Sequence, residues 1–367
     1  MDLIKGVDVS SLLEVERCGG VFRDGGEELD ALTILRRYGV NWVRLRLWND
    51  PYSETGEEYG GGGCDLAAVL TLARRAKRLG LKWLLDLHYS DFWTDPGCQT
   101  LPKAWRGFDE AALEKAVYQY TKDVLCACRA AGVLPDMVQT GNELTGGLLW
   151  PSGQLPNWEN ICRYLSAGIR AVREEAPQAR TVIHLDHGGK NLMYQDWFGH
   201  YFQLGGDCDI IGLSFYPCWH GKMADLAANM NDLALRYGKD LVIIEAGTAF
   251  TTDSYAPYER LAENQRKGPT AGADRADDLE YPMTRQGQTA YIRDLMEALR
   301  AVPEGRGRGF FWWEAAWLPV PGSGWAKRPG WAYTGGQGPE GNEWANQTLF
   351  DYDGNVLPAL STIRDFQ

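Results

Sequence analysis

Two glutamates in this sequence each lie at the end of a short apolar segment that is typical of a buried strand. Glu143 follows Asn142 shortly after the segment 137–140, and Glu245 ends the segment 241–245. A retaining glycosidase needs two such carboxyls about 5–5.5 Å apart, because one protonates the leaving oxygen and later activates water while the other attacks the anomeric carbon. One glutamate beside a strand is more often a solvated loop carboxylate. Two of them, one directly after an asparagine, favour a catalytic pair.

A strand-like segment at 42–47 carries two arginines on one face, because the side chains of a strand alternate between its faces. Arg44 and Arg46 share this face with Trp48, and a buried arginine requires anionic partners. Arg46 lies nearer the end of the strand, so we expect its charge to keep the nucleophile ionised. The alternative is that Arg46 only pairs with an aspartate or glutamate of the core.

Other polar and aromatic residues follow the ends of three further segments. His88 shares a strand face with Asp86, which predicts a hydrogen-bonded wall of the pocket, with a satisfied core histidine as the alternative. Tyr216 is placed to donate its hydroxyl to a carboxylate. One of the two tryptophans Trp312 and Trp313 is a candidate floor for a sugar site, with a core tryptophan as the alternative, and Glu314 is a rival carboxylate.

Eight short apolar segments alternate with amphipathic stretches, which predicts parallel strands joined by crossover helices. Eight such units predict an α/β fold, a single (β/α)8 TIM barrel that forms one catalytic domain over residues 1–367. An open doubly wound sheet is the alternative, but no Gly-x-Gly-x-x-Gly motif follows an early strand. The predicted strands are 4–9, 42–47, 82–87, 137–140, 181–185, 210–215, 241–245 and 309–313, and the predicted helices include 65–79, 110–131, 158–174, 224–237 and 285–300.

Two long segments interrupt this alternation of predicted strands and helices. Residues 250–284 follow the seventh predicted strand and residues 317–346 follow the eighth. Connections of that length are usually functional or mobile. Loops that follow the strands of a (β/α)8 barrel stand on the face that holds the active site. We therefore expect these two loops to form one wall of a cleft.

The composition excludes several classes of partner. The chain has 367 residues with 37 Lys+Arg against 49 Asp+Glu, and this net charge of −12 argues against nucleic acid. No apolar stretch approaches the roughly 20 residues of a membrane span, so no membrane partner is expected. The first residues lack the zones of a signal peptide, which predicts a cytoplasmic protein as written, or an extracellular one if a leader has been removed. The 15 Trp and 17 Tyr favour a ligand with flat apolar faces, such as a sugar, and we expect a monomer.

The sequence predicts no cofactor and no metal. The cluster His184-x-Asp186-His187 lacks the i, i+4 histidine spacing and the glutamate of a helical zinc site. No Gly-x-Ser-x-Gly elbow marks a serine nucleophile. Nothing suggests a dinucleotide.

The chain also carries a set of longer motifs in a fixed order. They are KGVDVSS at 5–11, WVRLRLWNDP at 42–51, HYSDFWTDPG at 88–97, VQTGNE at 138–143, LWP at 149–151, LSFYPCW at 213–219, YPMTRQGQ at 281–288, GFFWWEAAW at 309–317 and NQTLFD at 346–351. Together, from about residue 4 to 361, they resemble glycoside hydrolase family 53, the endo-β-1,4-galactanases. The set is highly specific, whereas any one segment would not be.

This resemblance implies a barrel of the clan of retaining hydrolases whose two glutamates end strands four and seven. It implies that Glu143 is the acid/base, that Glu245 is the nucleophile and that Asn142 contacts the sugar 2-hydroxyl. The implied substrate is β-1,4-galactan, the side chain of pectin and of type I arabinogalactan. Further substrate-binding residues are implied at strand ends (Arg46, His88, Tyr216 and Trp313) and on a substrate-side loop (Asp91 and Trp93).

The sequence departs from the family in two places. The family usually continues after the nucleophile with Thr, a small residue and Tyr, whereas Glu245 is followed here by Ala-Gly-Thr-Ala-Phe. Some bacterial members bind calcium through an Asp/Asn/His-rich loop after strand seven. Residues 251–270 carry no comparable cluster, so calcium stays possible here but is not supported by this loop. Two alternatives stay open: another retaining β-glycanase of the clan, such as a mannanase, and a non-catalytic galactan-binding barrel, which would be marked by loss of either glutamate.

Overall fold

A closed barrel of eight parallel strands forms the centre of the computed structural model, which describes residues 3–255, 279–335 and 341–366. Each strand pairs with its neighbours along the chain, and the last pairs with the first. The predicted (β/α)8 fold is confirmed, with strand ends within two residues of those predicted. Numbered β1 to β8, the strands are Ile4–Asp8, Trp42–Leu47, Lys82–Leu87, Met137–Thr140, Arg180–Leu185, Ile210–Phe215, Asp240–Ala246 and Gly307–Trp312.

Helices connect the barrel strands. Four of them are preceded by a capping residue whose side chain accepts a hydrogen bond from a backbone N–H of the first turn: Asp30, Asp65, Asp109 and Thr284. Each cap satisfies a donor that has no partner within the helix. The helices within the described residues are Leu12–Arg17, Ala31–Arg37, Leu66–Arg78, Glu110–Ala130, Trp158–Glu175, Asn191–Gln203, Pro217–His220, Met223–Tyr237, Arg285–Arg300, Arg328–Thr334 and Pro358–Asp365.

The inside of the barrel changes from apolar to polar along the direction of the strands. Alternate residues of a strand face the interior, so a residue near the start of a strand and those two or four positions later share that face. The later positions are polar and fully buried, and they form a layer that carries the cleft described below. The apolar cluster comprises Ile4, Trp42, Leu84, Met137, Val182, Ile210, Val242, Ile244 and Phe311, and the polar layer comprises Arg44, Asp86, Gln139, His184 and Ser214.

Strand β7 contains a bulge that determines where Glu245 points. Its pairing with β6 skips Ile244, because Ile243 pairs with Leu213 and Glu245 pairs with the next residue, Ser214. Ile244 belongs to the apolar cluster inside the barrel, so regular alternation would turn Glu245 to the outer face. The bulge turns it inward instead.

The two long loops after β7 and β8 are described to different extents. Three tryptophans of the segment 317–346 line the cleft, as predicted for this loop: Trp325, Trp331 and Trp344. Residues 256–278, which are most of the segment 250–284, lie outside the described residues. The cleft wall predicted from this segment therefore also falls outside them. Within the described part of the chain, no helix is both long and apolar enough to cross a membrane.

Removing a side chain from the apolar cluster should destabilise the protein without touching the cleft. Ile210 is fully buried at the start of β6, and Ile210→Ala should lower the free energy of unfolding by about 2–5 kcal/mol, since it removes apolar contacts and leaves a cavity. Urea unfolding followed by circular dichroism measures this change. Leu192→Ala, at a side chain that is 79% exposed, is the control and should change stability by less than about 0.5 kcal/mol. Equal stability of the two variants would contradict this role of the cluster.

Candidate active site

A cavity of about 780 Å³ opens at the carboxyl ends of the barrel strands. This volume is typical of a small-molecule site. The barrel strands bring residues that are far apart in the sequence to this one cleft. Of the residues predicted for the site, those that line it are Arg46, His88, Trp93, Asn142, Glu143, Tyr216, Glu245 and Trp313.

Glu245 lies between a cation and a phenol. Its Oε1 is 2.9 Å from Nη2 of Arg44, and its Oε2 accepts a hydrogen bond of 2.9 Å from the Tyr216 hydroxyl. Burial raises the pKa of Glu245, whereas the Arg44 charge and the Tyr216 hydrogen bond oppose that rise. Tyr216 therefore serves a carboxylate, as the sequence suggests.

Arg44, and not Arg46, is the guanidinium beside Glu245. Arg46 pairs instead with Glu314 at 2.9 Å, so the prediction that Arg46 keeps the nucleophile ionised is wrong, and its alternative describes the structure. Both arginines face the interior, but Arg46 lies one layer further along β2. The rival carboxylate Glu314 also accepts a hydrogen bond of 2.6 Å from the Ser11 hydroxyl, and it does not line the cleft.

Glu143 accepts a hydrogen bond from the Ser214 hydroxyl, which has a single proton. Its Oε1 accepts a hydrogen bond of 2.7 Å from Ser214 Oγ, which lies 2.8 Å from Nε2 of His184. Since the single Ser214 proton goes to Glu143, His184 must donate from Nε2. Burial lowers the pKa of His184 well below its usual value, which keeps this ring neutral. Oε1 of Glu143 thus accepts the Ser214 hydrogen bond, and Oε2 is the oxygen that can carry an acidic proton.

The two glutamates have opposite electrostatic surroundings. Enclosure by protein raises the pKa of Glu143 well above 4.5, and the negative charges of Glu245 and Asp186 raise it further. At Glu245 the Arg44 charge acts in the other direction. The proton of the pair therefore resides on Glu143 and the charge on Glu245. Two carboxyls whose pKa values are pushed apart in one cleft can serve as an acid and a nucleophile.

Two further polar residues lie as the sequence predicts. His88 lines the cleft, and its Nε2 is 3.0 Å from Oδ2 of Asp86. Asn142 accepts a hydrogen bond of 2.9 Å from Arg44 and donates one of 2.9 Å to the carbonyl of Thr94. The amide of Asn142 is thereby fixed in orientation, and its second N–H is the one that a ligand can use.

Asp91 does not line the cleft. Its carboxylate accepts a hydrogen bond of 2.6 Å from the backbone nitrogen of Lys103 and lies 3.2 Å from the Lys103 ammonium. The loop after β3 directs this carboxylate to Lys103 and not into the cavity, and substrate binding by Asp91 stays a prediction.

Tryptophan rings form much of the cleft wall. The Arg46 guanidinium lies 4.0 Å from the ring centre of Trp93. Trp313 stacks on Trp325 with ring centres 5.6 Å apart and planes 27° apart. Trp219, whose side chain is exposed, stacks in the same way on Trp344 at 6.1 Å. Flat amphipathic rings of this kind match the apolar faces of sugar rings.

Several cleft residues were missed by the sequence reasoning. Asp95 follows Trp93 by two residues, and Trp219 and His220 follow Tyr216 closely, so proximity to a predicted site residue is the signal that could have found them. Asp186 and His187, which do not fit a helical zinc motif, line the same cleft. His184, their neighbour in the sequence, bonds to Ser214 instead.

Comparison with known proteins agrees with this site. The sequence model of the family described as glycosyl hydrolase family 53 matches residues 4–363. The chain is 35% identical to the endo-beta-1,4-galactanase of Bacillus subtilis (strain 168) over 99% of this chain and 86% of that protein. It is 32% identical to the arabinogalactan endo-beta-1,4-galactanase of Humicola insolens over 97% of each. A solved family 53 catalytic domain from Ignisphaera aggregans, 40% identical, superposes with a TM-score of 0.90 over 99% of this chain and 96% of that one.

The raised pKa of Glu143 makes a prediction about stability. A carboxyl whose pKa is higher in the folded than in the unfolded state favours folding below its unfolded pKa, and this contribution is lost as the pH rises through the folded value. Glu143→Gln, which never ionises, should therefore raise the Tm above that of the wild type more at pH 8 than at pH 4. Thermal unfolding at the two pH values measures this.

The control for that experiment is Glu159→Gln, at an exposed side chain of the helix Trp158–Glu175. It should give the same small Tm change at both pH values. A Tm gain of Glu143→Gln that is equal at both pH values, or larger at pH 4, would contradict the assigned protonation of Glu143.

Proposed function

Because the chain belongs to glycosyl hydrolase family 53, we propose that it hydrolyses the β-1,4-galactosidic bonds of galactan and type I arabinogalactan with retention of configuration. The relatives named galactanases match nearly the whole chain. The observation that carries the proposal is the cleft in which Glu143 holds a proton while Glu245 lies against Arg44.

In the first step, a carboxylate oxygen of Glu245 attacks the anomeric carbon while the bond from that carbon to the glycosidic oxygen breaks. Glu143 gives its proton, held on Oε2, to the departing oxygen. The products are a galactosyl ester of Glu245 and a shortened chain with a free hydroxyl. The second N–H of Asn142 is the proposed donor to the 2-hydroxyl of the bound sugar.

Formation of the ester prepares Glu143 for its second role. The negative charge of Glu245 contributes to the raised pKa of Glu143, and this charge disappears when Glu245 becomes an ester. The pKa of Glu143 therefore falls, so the carboxylate it has become can accept a proton from water. The water oxygen attacks the anomeric carbon, the ester bond breaks, and Glu245 regains its charge.

Alanine at either glutamate should abolish most galactan hydrolysis, but for different reasons. We expect Glu143→Ala to lose roughly 10²–10⁴-fold in kcat on galactan, because proton transfer to the leaving oxygen is lost, and Glu245→Ala to lose more. A 4-nitrophenyl β-1,4-galactobioside separates the roles, because nitrophenolate leaves without a proton. Glu143→Ala should release a burst of nitrophenol from it and turn over faster with added azide, whereas Glu245→Ala should release none.

Glu159→Gln is the matched control and should hydrolyse galactan like the wild type, since Glu159 is exposed outside the cleft. Near-normal galactan hydrolysis by either alanine variant would remove that glutamate from its proposed role. A nitrophenol burst from Glu245→Ala would show that the nucleophile lies elsewhere.

The sugar preference is tested on a panel of polysaccharides. Reducing ends should appear at least roughly tenfold faster from galactan than from β-1,4-mannan or xylan, because sites that hydrogen-bond particular hydroxyls reject chains in which those hydroxyls are displaced. Faster cleavage of mannan would favour another retaining β-glycanase of the clan. Binding of galactan with no release of reducing ends would mean a non-catalytic barrel.

A further inference from the structure

Three side chains with metal-binding atoms meet in the wall of the cleft. Asp186 and His187 follow β5, and His220 ends the short helix Pro217–His220 that follows β6. One ligand atom from each of the three lies within 4.8 Å of the other two. The two imidazole rings are 4.8 Å apart between centres and inclined by 30°. The hydrolysis mechanism proposed above uses none of these three side chains as a reactant.

Neighbouring groups hold two of these side chains in place. Asp186 is buried, and its Oδ1 accepts a hydrogen bond from the Thr145 hydroxyl. Nδ1 of His220 lies 3.0 Å from the carbonyl oxygen of Ser214 and 3.2 Å from the backbone nitrogen of Tyr216. Metal-binding histidines commonly give their second ring nitrogen to such a carbonyl, which fixes the orientation of the ring.

His187 is the side chain that can adjust. It is partly exposed, its Nδ1 contacts Oδ2 of Asp186, and its backbone has φ 51°, a conformation uncommon for residues other than glycine. Zinc bonds to nitrogen and oxygen are about 2.0–2.2 Å long, so a contraction of the cluster by about 1–1.5 Å would bring all three donors to one ion. A small rotation of the partly exposed His187 ring supplies that movement.

The donor set selects the class of cation. Two imidazoles and one carboxylate suit Zn²⁺ and neighbouring transition metals, whereas Ca²⁺ takes six to eight oxygen ligands and Mg²⁺ prefers oxygen in an octahedron. The cleft also carries more negative than positive side chains, since Asp95, Glu245 and Glu343 line it together with Arg46. That excess of negative charge attracts a cation.

We infer that Asp186, His187 and His220 bind one divalent transition cation of the zinc type in the cleft wall, and that the bound ion inhibits hydrolysis by occupying space beside Glu143. This site goes beyond the proposed galactanase activity, and it is tested first by binding, which does not depend on that activity.

Isothermal titration of the chelator-treated wild type with Zn²⁺ should show one ion per chain, and titration with Ca²⁺ should show no saturable binding. His187→Asn and His220→Gln should each weaken Zn²⁺ binding by more than about tenfold, since each removes a ligand. Asparagine is chosen because it tolerates positive φ. Thermal unfolding of each metal-free variant verifies that it folds. Because His187 is only partly buried, His187→Asn keeps the test available if His220→Gln does not fold.

Two control variants separate this site from other zinc-binding groups. Cys218→Ser removes a thiol two residues before His220, and His200→Gln removes a histidine on the helix Asn191–Gln203. Both should bind Zn²⁺ like the wild type. The inference would be overturned by a wild type without saturable Zn²⁺ binding, by histidine variants that bind as tightly as the wild type, or by loss of binding in Cys218→Ser.

The inhibitory effect is measured separately on galactan. Zn²⁺ should slow the wild type, an excess of chelator should restore the rate, and His187→Asn should need more than about tenfold more Zn²⁺ for the same inhibition. Full activity of the zinc-loaded wild type would contradict the inhibitory part. Failure of the untreated wild type to hydrolyse galactan would contradict the proposed function and leave the binding result standing.

Discussion

The guanidinium of Arg44 is the interaction on which the cleft depends. It is fully buried and lies 2.8 Å from Asp8, 2.7 Å from Asp86 and 2.9 Å from Glu245, so it joins β1, β3 and β7 to β2. One cation therefore serves three carboxylates, of which Asp8 and Asp86 are fully buried and Glu245 lines the cleft. Removing one partner of a buried ion pair typically costs about 3–5 kcal/mol, because the other charge is left uncompensated. The closure of the barrel and the charge on Glu245 thus depend on the same side chain.

The strands and the loops make different contributions to the cleft. Strand residues supply the charges and the fixed hydrogen bonds: Arg44 acts on Glu245, and His184 acts through Ser214 on Glu143. The loops supply aromatic walls, of which Trp325 is one example. The electrostatics therefore rest on the most rigid part of the molecule, whereas the shape presented to a polymer rests on segments that can differ in length between relatives.

Much of the fold could be predicted from the sequence, because each barrel strand is buried on both faces and appears as an apolar run. The position of Glu143 and Glu245 at strand ends, and the partner of Tyr216, were accessible in the same way. The depth of a side chain inside the barrel was not: Arg44 and Arg46 share a face, and only the three-dimensional stagger of the strands shows which one meets Glu245. His220 was missed because its partners are remote in sequence and a four-residue helix directs its ring.

The bulge at Ile244 has an evolutionary consequence. The inward direction of Glu245 depends on the bulge, because the unpaired Ile244 separates its pairing from that of Ile243. A regular ladder over the same residues would pair Glu245 with Phe215 instead of Ser214 and turn the carboxylate toward the surrounding helices. A descendant of this gene that lost the bulge could keep every residue type of the cleft and still be inactive. The side chains alone therefore do not identify the active members of such a lineage.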